Sequence, residues 1–141
     1  MYKRIILAVD LAETSTAPKG LEQALELTKL GGGALRLVNV QPVVRATFME
    51  YLPADFDVEQ AKHAQEALDA IVVSIDLPAE RKSSTTCVGG IYHELLQEAK
   101  GWNADLIVVG SHRPVMSDYL LGSNAKTIVR HAQCSVLVVR E

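Results

Sequence analysis

Residues 105–139 read DLIVVGSHRPVMSDYLLGSNAKTIVRHAQCSVLVV, and this stretch decides the fold. It begins and ends with short aliphatic runs, Asp105–Gly110 and Ser135–Val139, which are typical of strands that are buried on both faces. Between the two runs, Ser123–His131 is predicted to be a helix. A strand, a helix and a second strand in this order indicate a right-handed crossover, which leaves the two strands parallel.

The rest of the chain repeats this alternation of strand and helix. Further strands are predicted at Arg4–Asp10, Leu35–Val40 and Ser84–Val88, and further helices at Thr16–Leu30, at Asp57–Ile75 and from Gly89 to about Gly101. The segment between Val43 and about Asp55 is predicted to be a loop with some local helix. The order βαβαβαβαβ predicts one α/β domain over residues 1–141, a doubly wound five-stranded parallel sheet with helices on both faces.

Composition narrows the classes of partner. The net charge of −3 at pH 7 provides no basic field for DNA or RNA, so no nucleic-acid partner is expected. No apolar run approaches the roughly 20 residues of a membrane helix, so no membrane span is predicted and a cytoplasmic location is expected. Cys87 and Cys134 are too far apart in sequence for a zinc cluster and are predicted to be two buried, reduced thiols.

Ligands of a doubly wound sheet bind beyond the carboxyl ends of the strands, where the strand order reverses. The strand ends at Asp10, Val40 and Gly110 are therefore the first candidates for a binding site. Gly110 allows the backbone to approach a ligand closely, because glycine has no Cβ. Gly122–Asn124 begins a predicted helix, where unpaired N–H groups and the helix dipole favour an anion. Together these features predict a phosphate cradle, the alternative being that Gly122–Asn124 is a plain helix N-cap.

At these positions the sequence resembles the universal stress protein family. The family pattern is Gly-x-x-Gly, nine residues and Gly-Ser or Gly-Thr, followed by a helix and a strand similar to HAQCSVLVVR, which is residues 131–140 here. Further matches are IILAVD in the first strand, NV at the end of the second, GG before the third helix, and ADLIVVGSH at residues 104–112. The resemblance extends over essentially the whole chain. It implies a Rossmann-like, adenine nucleotide α hydrolase-like fold with strand order 3-2-1-4-5.

The resemblance also implies which residues bind the nucleotide. Asp10 would lie near the ribose and the Val40 backbone at the adenine edge, while the phosphates would be surrounded by Gly110, His112, Arg113, Gly122, Ser123 and Asn124. The chain departs from the family pattern at Arg113, which replaces the second glycine and marks an Arg-Pro branch, and in a loop that is one residue shorter. The Arg113 guanidinium can replace that glycine by contacting phosphate oxygens directly. Alternatively, Asp10 caps the following turn, and His112 is a solvent-exposed loop histidine.

Three functions are compatible with the sequence. The first is an ATP-binding regulator or sensor in the stress response, and the second is a weak ATP hydrolase in which His112 or Asp118 orients water. The third is a dimerising interaction module that no longer binds nucleotide. The sequence contains no nucleophile–base pair and no metal cage, so no catalytic or metal-ligating residues are assigned and at most slow ATP hydrolysis is expected. Whether Mg²⁺ accompanies the phosphates stays open, with Asp118 as the weak candidate ligand.

The last strand predicts how the chain assembles. Ser135–Val139 is almost entirely aliphatic and carries no proline or charge to protect it as a sheet edge. Two copies related by a two-fold axis can pair this strand antiparallel and bury its valines. The sequence therefore predicts a homodimer through the last strand, and dimers of this kind are what the family resemblance implies. With strand order 3-2-1-4-5, Cys87 and Cys134 fall near opposite edges, so no disulfide between them is predicted.

Overall fold

The structure is a computed structural model that describes residues 1–11, 17–43, 56–110 and 123–140. Within these ranges, strands and helices alternate along the chain. The elements are β1 (Arg4–Ala8), α1 (Ala17–Gly31), β2 (Ala34–Gln41), α2 (Phe56–Ser74), a 3₁₀ turn (Ala79–Arg81), β3 (Lys82–Val88), α3 (Ile91–Gly101), β4 (Leu106–Gly110), α4 (Ser123–His131) and β5 (Ser135–Val139). No helix in the described ranges is both long and apolar enough to cross a membrane.

The five strands form one parallel sheet in the order β3-β2-β1-β4-β5, as predicted. Strand β1 is central and pairs with β2 on one side and with β4 on the other. The strand order reverses on either side of β1, because β2 and β3 lie to one side of it and β4 and β5 to the other. This switch point is where an open α/β sheet forms a crevice at its carboxyl edge.

Helices pack on both faces of the sheet, so each face has its own core. Side chains alternate between the two faces along each strand, and in β1 Ile5 and Leu7 enter one core while Ile6 enters the other. The first core packs against Ala24 of α1 and Leu68 of α2. The second core packs against α3 and α4, through Leu95, Ala99, Ala125 and Ile128. The burial of both faces explains why the strands are continuous aliphatic runs.

Both boundaries of α4 and of β5 match the prediction, whereas each other predicted element differs by one or two residues at one end or at both. Strand β3 begins at Lys82, not Ser84, because its pairing with β2 starts at Leu35 and Lys82 in spite of the polar side chains there. Strand β1 ends at Ala8, although the Val9 N–H still donates to the Val38 carbonyl at 2.9 Å. Most of the segment predicted as a loop with local helix, residues 44–55, lies outside the described residues.

Helix α1 ends in a glycine cap. Gly32 has a left-handed φ of 66°, and Gly33 N–H donates to the Thr28 carbonyl at 3.1 Å, which is the Schellman arrangement. The two cysteines are free, as predicted, but Cys87 and Cys134 are half-buried and not fully buried. Cys87 lies in the edge strand β3 and Cys134 directly precedes the other edge strand β5, so each has a neighbouring strand on one side only.

Side chains of α2 engage the outer edge of β3. Gln65 Oε1 accepts a hydrogen bond from the Thr86 backbone N–H at 3.0 Å, and Ser84 Oγ donates to Asp69 Oδ1 at 2.7 Å. Gln65 Nε2 also donates to Asp69 at 2.8 Å. The hydrogen bonds from Ser84 and Gln65 lower the pKa of Asp69. Polar side chains thus blunt this edge of the sheet against association.

Candidate functional site

The carboxyl ends of β1, β2 and β4 meet at one edge of the sheet. The register pairs Ala8 with Val38 and Leu7 with Val108. Continuing each ladder by two residues puts Asp10 level with Val40, and Gly110 level with the residue before Asp10. Adjacent strands are about 4.8 Å apart, so the three predicted positions lie within roughly 10 Å across the sheet. The structure therefore brings Asp10, Val40 and Gly110 together, as predicted.

A buried amide supports the backbone just before Asp10. The Asn39 side chain is 4% exposed, and its Nδ2 donates to the Val9 carbonyl at 2.8 Å. Gln41 Nε2 in turn donates to Asn39 Oδ1 at 2.6 Å, which orients the amide. These two bonds hold the end of β1 against β2 beyond the last paired residues of the ladder. Asn39 and Gln41 therefore position the end of β1 at the candidate site, a role that the sequence pattern did not indicate.

Gly110 and the start of α4 leave room for a ligand at the same edge. A Cβ at Gly110 would meet no heavy atom of the described residues within 4 Å, and the φ of Gly110 is not left-handed. Glycine here therefore provides space and not an unusual backbone conformation. Because α4 runs back from β4 to β5, its N-terminus lies at the carboxyl edge. The first turn of α4 contains no acidic residue, so its positive dipole end and N–H groups are not opposed by a carboxylate within that turn.

The turn after β3 contributes one further position at this edge. Gly89 has a φ of 145°, and a Cβ there would lie 2.7 Å from Glu94 Oε1. Gly89 N–H donates to the Gln41 carbonyl at 2.9 Å, which extends the β2–β3 pairing past the end of β3. The GG pair before α3 was the sequence signal for this turn. The structure shows that its first glycine fixes the chain where β3 passes into α3.

The predicted nucleotide-binding residues are described only in part. Asp10, Val40 and Gly110 are described, as are Asn124, which is half-buried, and the backbone of Ser123, the first residue of α4. His112, Arg113 and Gly122 lie outside the described residues, as does Asp118. Away from these positions, His63 and His93 lie exposed on α2 and α3.

The described residues near the site lack an activated nucleophile. Cys87 is nearest, paired with Val40 across β2 and β3. Burial, with smaller contributions from Glu98 and Glu94, raises the pKa of the Cys87 thiol. A raised pKa keeps the thiol protonated at neutral pH and therefore a poor nucleophile. In residues 1–11, 17–43, 56–110 and 123–140, no cluster of three or more His, Cys, Asp or Glu side chains could hold a metal ion.

The described geometry at this edge is suited to binding a ligand. The carboxylate of Asp10 follows the central strand β1, the end of β4 with its glycine lies on one side of it, and the backbone of β2 lies on the other. The N-terminus of α4, which has no acidic residue in its first turn, lies at the same edge. A carboxylate can accept hydrogen bonds from sugar hydroxyls, and a helix N-terminus favours phosphate. The carboxylate is therefore suited to the ribose of a nucleotide, and the helix N-terminus is suited to its phosphate.

Comparison with known proteins agrees with this geometry. Universal stress protein G of Escherichia coli O157:H7 is 33% identical over 143 residues, in an alignment that covers 99% of this chain and 100% of that protein. Among solved structures, universal stress protein UspA from Lactobacillus plantarum has a TM-score of 0.80 at 22% identity, covering 99% of this chain and 98% of that chain.

Two structural neighbours contain adenine nucleotides. A universal stress protein in complex with cAMP has a TM-score of 0.71 at 15% identity, covering 98% of this chain and 97% of that chain. The Archaeoglobus fulgidus universal stress protein in complex with dAMP has a TM-score of 0.68 at 21% identity, covering 97% of each chain. The sequence profile of the universal stress protein family matches residues 1–140. This chain therefore belongs to the universal stress protein family.

Proposed function

We propose that residues 1–141 form one domain that binds an adenine nucleotide, with ATP as the physiological ligand, at the carboxyl edge of the sheet. The observation that carries the proposal is the acid-free N-terminus of α4 at the same edge of the sheet as the space next to Gly110 that the described residues leave open. The nucleotide complexes of the two structural neighbours support it, because those proteins share this fold. Asp10 would contact the ribose and the Val40 backbone the adenine.

The phosphate contacts of the proposal come from both ends of the loop after β4. Gly110, Ser123 and Asn124 would contact the phosphates from the described residues, and His112, Arg113 and Gly122 would complete the cradle. Arg113 would compensate for the missing family glycine. Arg113→Gly is then expected to weaken ATP binding more than adenosine binding, because only the phosphates lose a charged partner. An equal loss for both ligands would count against a phosphate contact at Arg113.

The proposed role is regulation or sensing in the stress response, and not catalysis. The protonated thiol of Cys87 argues against nucleophilic chemistry at the described part of the site. A bound nucleotide would instead order the residues around the carboxyl edge and so change the surface that partners meet. Single-turnover incubation with ATP is expected to return ATP intact over the lifetime of the complex. Release of ADP faster than ATP dissociates would favour the hydrolase.

Calorimetry of two glycine variants tests the proposed site. Gly110→Val fills the space in which the phosphates would lie, so the affinity for ATP is expected to fall by about tenfold or more. Gly101→Val is the matched control, because a Cβ at Gly101 also meets nothing within 4 Å but lies at the end of α3. Circular dichroism of both variants checks that the fold is intact. Equal affinity of wild type and a folded Gly110→Val variant would refute the site.

We also propose that two copies pair through β5. The two edge strands differ in chemistry: β3 carries polar residues and is engaged by α2, while β5 is aliphatic and its Val136–Val138 side chains stay partly exposed. Val138→Pro would remove a backbone donor from this strand and is expected to shift the mass towards the monomer. Val129→Ser, on the exposed surface of α4, is the control. Sedimentation that finds the wild type monomeric at micromolar concentration would contradict the dimer.

The proposed compartment is the cytoplasm. Cys87 and Cys134 are both free thiols, which is the usual state in a reducing compartment.

For Mg²⁺, the proposal is that the triphosphate supplies most of the ligands, with Asp118 as the protein ligand. This is tested by measuring the affinity for ATP with Mg²⁺ and with a chelator. The affinity is expected to depend on Mg²⁺ in the wild type and not in Asp118→Asn. Equal affinities of the wild type under both conditions would contradict a bound Mg²⁺.

A further inference from the structure

A basic pocket of about 600 Å³ lies at the amino ends of the strands, opposite the nucleotide edge. Its charged lining residues are five cations and one carboxylate: Lys3, Arg4, Arg36, Arg81, Lys82 and Glu80. Strand β2 spans its eight residues between the two edges, which separates the basic pocket from the proposed nucleotide site by about 25 Å. The basic pocket is therefore a separate feature of the molecule.

The cations of the basic pocket are fixed by backbone carbonyls at the C-terminal ends of three helices. Arg81 donates to the Gly33 carbonyl at 2.6 Å, just after α1, and Lys82 donates to the Ile75 carbonyl at 2.9 Å, just after α2. Arg4 donates to the carbonyl of Trp102 at 2.9 Å, just after α3. Offsetting the negative ends of the helix dipoles is thus one role of these side chains.

That structural role leaves part of the positive charge uncompensated. Arg36 is paired with Glu98 at 2.7 Å, and among the described residues Glu80 is the one carboxylate in the lining. Asp105 lies next to the lining, where its carboxylate accepts the backbone N–H of Lys3 at 2.8 Å. Each helix C-terminus contributes about half a negative charge. After these three carboxylates and three helix ends are set against the five cations, about half a positive charge is left. The chain as a whole has a net charge of −3, so this local positive excess is opposite in sign to the charge of the whole molecule.

The single tryptophan of the chain holds two of the guanidinium groups in place. The Arg4 guanidinium carbon lies 5.5 Å from the centroid of the Trp102 ring, and that of Arg36 lies 4.7 Å from it. Arg36 Nε also donates to Ser83 Oγ at 3.0 Å. Stacking and hydrogen bonding restrict both side chains before any ligand arrives. Such preorganisation lowers the entropy that binding would cost.

From this geometry we propose that the basic pocket binds a compact phosphate polyanion, of which inorganic pyrophosphate is the smallest example. Planar guanidinium groups and ammonium groups converging on one cavity are the chemistry that recognises phosphate oxygens. The volume admits a small polyanion whole. This binding is independent of the nucleotide site, because the two lie at opposite edges of the sheet.

Trp102 fluorescence reports on the basic pocket directly. Pyrophosphate is titrated into the wild-type protein at constant ionic strength, and a saturable change is expected, with weaker binding of orthophosphate and of citrate. Lys82→Gln is expected to weaken pyrophosphate binding, and Glu80→Gln to tighten it, each by about two- to fivefold. Lys62→Gln and Glu22→Gln, which change the same charges on exposed surfaces of α2 and α1, are the controls and should leave the affinity unchanged.

Three results would overturn the proposal. The first is the absence of a saturable fluorescence change with pyrophosphate up to about 10 mM, because a dissociation constant above that concentration is too weak for specific binding. The second is an equal change with sodium chloride at matched ionic strength. The third is a pair of Glu80→Gln and Lys82→Gln variants that bind like the wild type while their circular dichroism is unchanged. Citrate binding more tightly than pyrophosphate would overturn the phosphate assignment.

Discussion

Replacing Asn39 by leucine tests the amide that supports the end of β1. Asn39→Leu keeps a side chain of similar volume in a position that is 4% exposed, but it removes the donor to the Val9 carbonyl. An unpaired buried acceptor costs about 1–3 kcal/mol. Gln41 loses its acceptor too, yet it is half-buried and can turn to water. We therefore expect the free energy of unfolding to fall by about 2 kcal/mol, which lowers Tm by about 4–8 °C for a chain of this size.

Urea unfolding followed by circular dichroism measures this loss, with Gln23→Leu on the exposed surface of α1 as the control. Gln23→Leu is also an amide-to-leucine change, but at an exposed position, so its effect is expected to stay within about 0.5 kcal/mol. In folded Asn39→Leu protein, the looser chain before Asp10 should also reduce adenine-nucleotide affinity by about fivefold, corresponding to about 1 kcal/mol of added ordering. An Asn39→Leu variant as stable as the wild type, with equal affinity, would refute the role of this amide.

Two further predictions concern the thiols and the turn after β3. Burial raises the pKa values of Cys87 and Cys134, so less thiolate is present at pH 8 in the native protein. Both thiols should therefore react with iodoacetamide more slowly in the native than in the urea-unfolded protein. Equal rates would contradict the raised pKa values. Gly89→Ala, which forces a Cβ towards Glu94 at a φ of 145°, should destabilise the fold by about 1–3 kcal/mol. Gly90→Ala, whose Cβ would meet nothing closer than 3.8 Å, is the control, and equal stabilities would contradict the strain.

The fold could be predicted because its signals are local. The aliphatic run of β5 and the segment of α4 carry their boundaries in the sequence, and both were predicted to the residue. The start of β3 was missed by two residues, since Lys82 and Ser83 are polar and join the strand only through pairing with β2. Pairing across the sheet depends on the whole topology, which local pattern does not contain.

The candidate site was predicted where it follows from strand ends and missed where it depends on register. Asp10, Val40 and Gly110 end predicted strands, so the rule for open α/β sheets was enough to group them. In the sequence, Asn39 was noted only as part of the NV dipeptide of the family. Its structural role could not be predicted, because its partner Val9 lies 30 residues away in the chain. The basic pocket depends even more on topology, since its cations come from positions 3, 4, 36, 81 and 82.

The most direct test of adenine-nucleotide binding at the carboxyl edge is a map of amide chemical shifts during a titration of the ¹⁵N-labelled protein with AMP and ATP. The account predicts saturable shifts centred on Asp10, Val40, Gly110 and Asn124, with larger shifts at Asn124 for ATP because its phosphates reach the start of α4. The amide of Lys82, at the opposite edge, should stay unchanged with AMP. Shifts centred on the amino edge, or no saturable shift with either nucleotide, would contradict the proposed site.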